Sequence, residues 1–130
     1  MRILHTSITT LDMDRSLAFY TNVMGLTFLR RRAIPENDAE IAFVEDADSG
    51  AQIELTWWKG KTALAEGDQL DHIAFAVDDM DAAMARFRAA GVTIAKEPYS
   101  LAGGSSRIAF ITDPDGIWLE IIERRGREGD

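Results

Sequence analysis

The sequence predicts an α+β protein of two tandem βαβββ modules, and three observations carry that reading. The chain's two histidines, His5 and His72, each stand seven residues before an Asp-Met-Asp triplet that begins at Asp12 or Asp79. Ile-Ala-Phe occurs at 41–43 and again at 108–110, an offset of 67 that also separates the histidines. Glu54 and Glu120, 66 residues apart, each interrupt an apolar run. Repetition at a fixed interval decides architecture before any local signal does.

Each element follows in order. The segment ILHTSITT around His5 reads as a first strand, and Asp12 or Asp14 as the N-cap of a helix. Leu17, Tyr20, Val23 and Met24 fall at helical spacing, and Gly25 supplies the stop. Strands follow at LTFLR (26–30) and around IAF (41–43); the turn DADSG (46–50) leads to a last strand, QIELTW (52–57). The polar, glycine-bounded stretch 60–68 reads as a linker between a module at 1–59 and one at 69–124. In the second module IAFAV after His72 is the first strand, and Asp79 or Asp81 caps a helix carrying Ala83, Met84, Phe87 and Ala90. Gly91 ends it, and VTIAK (92–96), IAF (108–110), the turn DPDG (113–116) and WLEII (118–122) complete the copy. A module of about 60 residues buries too little surface to stand alone, so one domain over 1–130 is expected.

Composition narrows the function. Twenty-two acidic against 14 basic residues give a net charge of −8, which disfavours nucleic acid and anionic membrane as partners. The run Arg30-Arg31-Arg32 is the local exception and reads as a solvated strand end. With no cysteine, disulfide and thiol chemistry are excluded. No apolar signal segment or membrane-length stretch is evident, so a cytoplasmic protein is expected.

A carboxylate inside an apolar strand needs a partner or a metal, because its desolvation otherwise costs several kcal/mol. Each module offers one histidine on its first strand and one such glutamate on its last. Two neutral imidazoles and two carboxylates balance a divalent charge, so His5, Glu54, His72 and Glu120 are the candidate metal ligands. That donor set suits Ni²⁺, Co²⁺, Zn²⁺, Fe²⁺ or Mn²⁺. Four protein ligands leave an octahedral ion two positions for water or substrate. Strand alternation puts Ser7 and Thr9 beside His5, Thr56 and Trp58 beside Glu54, and Trp118 beside Glu120. These five are the candidate substrate pocket, suited to a small carbonyl compound with an apolar or thioester-like tail.

The motifs ILHT, RSLAFYTNVMGLTFLRR, IELT, DHIAF and IAFITDPDGIWLEII resemble the vicinal oxygen chelate superfamily, and within it glyoxalase I (lactoylglutathione lyase), over about residues 1–124. The resemblance implies the glyoxalase/bleomycin-resistance/dioxygenase fold, with curved mixed sheets around a metal cleft. It also implies a homodimer whose sites lie between chains, and nickel or cobalt as the metal. It assigns His5, Glu54, His72 and Glu120 as ligands, with Glu120 as the base that deprotonates a hemithioacetal of methylglyoxal and a thiol, the resulting enediolate being stabilised at the metal. Glu54 takes the mirror-image role.

Glutathione-using members carry an arginine, an asparagine and a lysine where this chain has Thr9, Trp57-Trp58 and Ala102, so a less anionic thiol than glutathione is expected unless Arg107 or Lys59 supplies the missing positive charge. Gly103-Gly104-Ser105-Ser106 reads as a loop at the pocket edge. The alternatives are an epimerase of the methylmalonyl-CoA type, which usually has glutamine at the place of Glu54, and a fosfomycin-type thiol transferase, which needs a basic cluster. A ring-cleaving dioxygenase would leave Glu54 spare, and a non-catalytic binding module of the same fold would not need four ligands.

Overall fold

A computed structural model describes residues 1–101, 104 and 106–124. The chain divides into two compact units, Met1–Glu66 and Gly67–Asp130. Ala102, Gly103 and Ser105 lie outside the described residues, and with them most of the loop expected at the pocket edge.

In unit 1, β1 (Thr6–Thr9) leads to α1 (Met13–Ala18), then to β2 (Thr27–Ile34), β3 (Ala39–Glu45) and β4 (Gln52–Trp58). The sheet order is β1-β4-β3-β2, with β1 parallel to β4 and the other pairs antiparallel. Unit 2 repeats this. Its elements are β5 (Ile73–Val77), α2 (Met80–Ala89), β6 (Thr93–Ser100), β7 (Arg107–Thr112) and β8 (Trp118–Glu123), and the order is β5-β8-β7-β6. Two mixed four-stranded sheets with one helical connection each are the α+β, tandem βαβββ architecture expected from the repeat. No helix among the described residues is long and apolar enough to cross a membrane.

The caps fall on the first aspartate of each triplet. Asp12 accepts from the Arg15 N–H and Asp79 from the Ala82 N–H, satisfying donors that a helix start leaves unpaired. The first helix departs from expectation. It is α-helical only to Ala18 and then widens into a π-helical turn, Phe19–Val23, closed by the Met24 N–H on the Phe19 carbonyl at 3.0 Å. The Thr21 hydroxyl donates to the Leu17 carbonyl at 2.6 Å, which favours this widening by competing for an α-helical acceptor. The buried residues there are therefore Met13, Ser16, Phe19 and Tyr20, and Leu17, Val23 and Met24 are only half-buried. In α2 the expected Ala83, Met84 and Phe87 are buried, whereas Ala90 is exposed and forms the C-cap, one residue past the helix end.

Each sheet buries the face that meets its helix. Ala42, Val44, Ile53 and Leu55 fill it in unit 1, and Ala109, Ile111, Leu119 and Ile121 in unit 2. Because side chains alternate along a strand, Glu54 and Glu120 fall on the opposite face. An arginine braces sheet to helix in both units. Arg31 pairs with Asp14 and Glu40 in unit 1, and Arg107 with Asp81 and the buried Glu123 in unit 2.

Candidate metal centre

Register positions the histidines and glutamates. Parallel pairing sets Ser7 beside Glu54 and Ala74 beside Glu120, while antiparallel pairing sets Phe43 opposite Glu54 and Phe110 opposite Glu120. His5 and His72 lie one residue before β1 and β5 begin, not within the strands as expected.

The two units then repeat one geometry. His5 Nε2 is 3.8 Å from Glu54 Oε1, and His72 Nε2 is 3.6 Å from Glu120 Oε1. The histidine side chains are both 32% exposed and the glutamates 17% and 18%. An aromatic edge steadies each imidazole: Phe43 lies 5.0 Å from His5 and Phe110 5.7 Å from His72, both near-perpendicular. At these separations nitrogen and oxygen face each other without a hydrogen bond. A cation bound at ~2.1 Å to two donors spans at most ~4.2 Å between them, so each pair fits a shared ion.

Within the single chain the four candidate ligands are brought together as two pairs. No group of three or more His, Asp or Glu side chains suited to a metal occurs among the described residues.

The pairs differ in what supports them. The Thr56 hydroxyl donates to Glu54 Oε1 at 3.3 Å and shares a 2.9 Å hydrogen bond with Ser7. Unit 2 has Ala74 and Ile122 at the corresponding places, so Glu120 has apolar flanks. In exchange, His72 Nδ1 meets Asp71 Oδ1 at 2.6 Å, which turns Nε2 with its lone pair toward Glu120. Asp71 was missed in the sequence, although an acid directly before a candidate ligand was a readable signal.

Ser7, Thr9, Glu54, Thr56 and Trp58 line a cavity of about 390 Å³ in unit 1, as expected from alternation. Ile34, Asn37, Ala39 and Ile41 join them unforeseen. They arrive because β2 runs longer than expected, to Ile34, and a 3₁₀ turn at Pro35–Asn37 folds back over the sheet end. The Pro-Glu-Asn-Asp turn chemistry could have signalled this. Trp118 lies in unit 2, 43% exposed and tilted against Phe110 at 5.4 Å.

Neither proposed replacement cation reaches the glutamate face. Arg107 is taken up by Asp81 and Glu123 on the helix side of its sheet, which raise its pKa in that order. Lys59 is exposed and does not line the cavity.

The family model for the Glyoxalase/Bleomycin resistance protein/Dioxygenase superfamily matches residues 2–121. A lactoylglutathione lyase of Haemophilus influenzae is 42% identical over 127 residues, covering 96% of this chain and 94% of that protein. Among solved structures, glyoxalase I from Zea mays superposes with a TM-score of 0.86 at 34% identity. This chain is covered to 95% in that match and spans 44% of the maize protein. The trypanothione-dependent glyoxalase I of Leishmania major gives a TM-score of 0.80 at 34% identity, with 95% and 86% of the two chains covered. Repeat, topology and similarity agree, and the chain belongs to the Glyoxalase/Bleomycin resistance protein/Dioxygenase superfamily.

Proposed function

We propose that this chain is a metal-dependent lyase of the glyoxalase I type, acting on the hemithioacetal of a 2-oxoaldehyde such as methylglyoxal and a thiol. The observation that carries the reading is the repetition of one His–Glu geometry, 3.8 Å in unit 1 and 3.6 Å in unit 2. Relatives named lactoylglutathione lyase, such as that of Haemophilus influenzae, support the reaction class. His5 and Glu54 of one protomer and His72 and Glu120 of its partner are read as the two halves of one centre in a homodimer. Both units then act as parts of one functional domain, in the cytoplasm.

Those four residues would hold a divalent cation, nickel or cobalt first and zinc, iron or manganese next, given two imidazoles and two carboxylates. When bound, the cation supplies positive charge against the negative charge that develops as the substrate loses a proton. The remaining steps fall to side chains. Glu120 takes the carbon-bound proton of the hemithioacetal and returns it to the neighbouring carbon. The net change is an isomerisation to a 2-hydroxyacyl thioester, with no oxidant or co-reactant consumed. Glu120 suits the task because Ala74 and Ile122 give it no side-chain donor to compete for the lone pair that receives the proton. Glu54, held by Thr56, is the counterpart for the opposite face of the substrate. Ser7, Thr9, Thr56 and Trp58 line the cavity that receives the substrate beside Glu54, and Trp118 walls the Glu120 side.

The test is thioester formation from methylglyoxal and glutathione by metal-stripped protein reloaded with Ni²⁺, Co²⁺, Zn²⁺ or Mn²⁺. Turnover with at least one metal, lost by ~10²-fold or more in Glu120→Gln, is expected. Equal turnover by Glu120→Gln, or none with any metal, contradicts the reading.

A further inference from the structure

The run Arg30-Arg31-Arg32 is divided between the two faces of its sheet. Arg31 leaves β2 toward α1, where Asp14 and Glu40 hold it. Arg30 and Arg32 leave from the other face, since successive strand residues alternate. Their cross-strand neighbours fix that face: Arg30 stands opposite Phe43 and Arg32 opposite Ile41. Phe43 in turn stands opposite Glu54, and Ile41 opposite Thr56. Ile41, Glu54 and Thr56 all line the cavity.

The Arg30 guanidinium lies over the Phe43 ring, 4.1 Å from its centroid, and the same ring meets His5. Stacking orients the guanidinium and leaves its N–H fork free for an anion. Among the described residues no carboxylate pairs with Arg30 or Arg32, although the chain carries 22 acidic residues. Two cations two residues apart on a strand stand ~7 Å from each other, a spacing that offers one fork to each of two carboxylates or both to one. Of the polar groups lining the cavity, Ser7, Thr9, Asn37 and Thr56 carry no charge and Glu54 is a carboxylate, so among the described residues no cation lines it; Arg30 and Arg32 stand beside it on the same face of the sheet.

The repeat provides an internal contrast. In unit 2 the register places Lys96 opposite Phe110 and Tyr99 opposite Ile108, and the lysine ammonium stacks on the tyrosine ring at 4.3 Å. The arginine pair is particular to unit 1.

We infer that Arg30 and Arg32 form a carboxylate-binding subsite at the β2 edge of unit 1, beside the cavity and on the same face of the sheet. The inference rests on the thiol-adduct reading for its substrate, but the subsite is testable by binding alone. The probes are S-hexylglutathione, with both carboxylates free, and its diethyl ester, measured by titration calorimetry on the nickel-loaded full chain. The diacid is expected to bind at least ~10-fold more tightly than the diester, and Arg30→Gln and Arg32→Gln each to weaken the diacid by ~10-fold. Arg30→Lys should recover only part of the loss, because an ammonium lacks the fork. Lys61→Gln makes the same charge change on an exposed turn and should leave binding within about twofold.

Diacid binding unchanged in both arginine variants overturns the subsite. So does equal binding of the diester, an equal loss in Lys61→Gln, or no binding by the unsubstituted chain. In turnover, the arginine variants should raise KM for the glutathione adduct and leave kcat within about twofold. Arginine-dependent binding without turnover of any hemithioacetal would sink the reaction assignment and leave the subsite standing.

Discussion

Replacing Glu123 by leucine tests how unit 2 is braced beneath Glu120. The Glu123 side chain is buried at 6% exposure, and its Oε2 accepts the Met80 N–H at 2.9 Å, at the start of α2. The Arg107 guanidinium reaches the same carboxylate at 3.3 and 3.5 Å. Leucine leaves the Met80 N–H without its acceptor, a loss of about 1–3 kcal/mol, and removes a negative charge from a helix N-terminus, worth up to about 2 kcal/mol when partly buried. The newly buried apolar surface and the avoided desolvation of a carboxylate act in the opposite direction by about 1–2 kcal/mol. The net expectation is a loss near 2 kcal/mol, which moves the urea midpoint down by roughly 1 M at an ordinary denaturant slope. Glu123→Gln keeps an oxygen acceptor for Met80 and should lose about half as much. If the leucine variant unfolds at or above the midpoint of the unsubstituted protein, desolvation outweighs the cap and the reasoning fails.

Three further outcomes are expected. Thr56→Val removes the hydroxyl bonded to Glu54 and Ser7 without changing shape, and should weaken nickel binding ~10-fold, while Thr56→Ser stays near the unsubstituted affinity; equal affinities in competition titration would exclude a positioning role. Co-refolding equal amounts of His5→Ala and Glu120→Ala chains should restore roughly a quarter of the activity if each centre is shared between protomers, because half of the dimers then carry one intact centre; activity no greater than in either variant alone, with both folded, would place the centre within one chain. Asp46 has its pKa lowered from 3.8, first by the Ser49 hydroxyl and then by the Asp48 N–H, so its contribution is present above that value and lost as pH falls through the lower folded value. Ser49→Ala should accordingly be less stable at neutral pH, with the deficit shrinking in strong acid to what the Ala51 N–H bond to the same hydroxyl contributes; a deficit that does not shrink contradicts the assignment.

The sequence revealed most where the two copies could be read against each other. A lone histidine before an apolar strand says little, but two at one point of a repeated frame fixed His5, Glu54, His72 and Glu120 as equivalent places. Both pairs then emerged with matching distances and exposure. Period-2 alternation likewise identified Ser7, Thr9, Thr56 and Trp58, because the face carrying Glu54 is set by local geometry alone. Features that depend on where an element stops were hidden. Exposed Arg30–Arg32 lack apolar alternation, so the pattern ends β2 early, and Ile34, Asn37 and the separation of the arginines onto two faces are not legible in it. The π-helical turn after Ala18 was equally illegible, since it arises from a side-chain–backbone bond at Thr21 and not from hydrophobic spacing. Arg107 looked free in the sequence because its partners Asp81 and Glu123 lie 26 and 16 residues away.

The most direct test of the metal centre is a crystal structure of the nickel-loaded protein, with diffraction data collected on both sides of the nickel absorption edge. One anomalous peak per protomer is predicted, within about 2.0–2.2 Å of side-chain donors from His5, Glu54, His72 and Glu120, with two further positions open to solvent or substrate. A peak at other residues, or one that leaves Glu54 or Glu120 uncoordinated and turned to bulk water, would contradict the account.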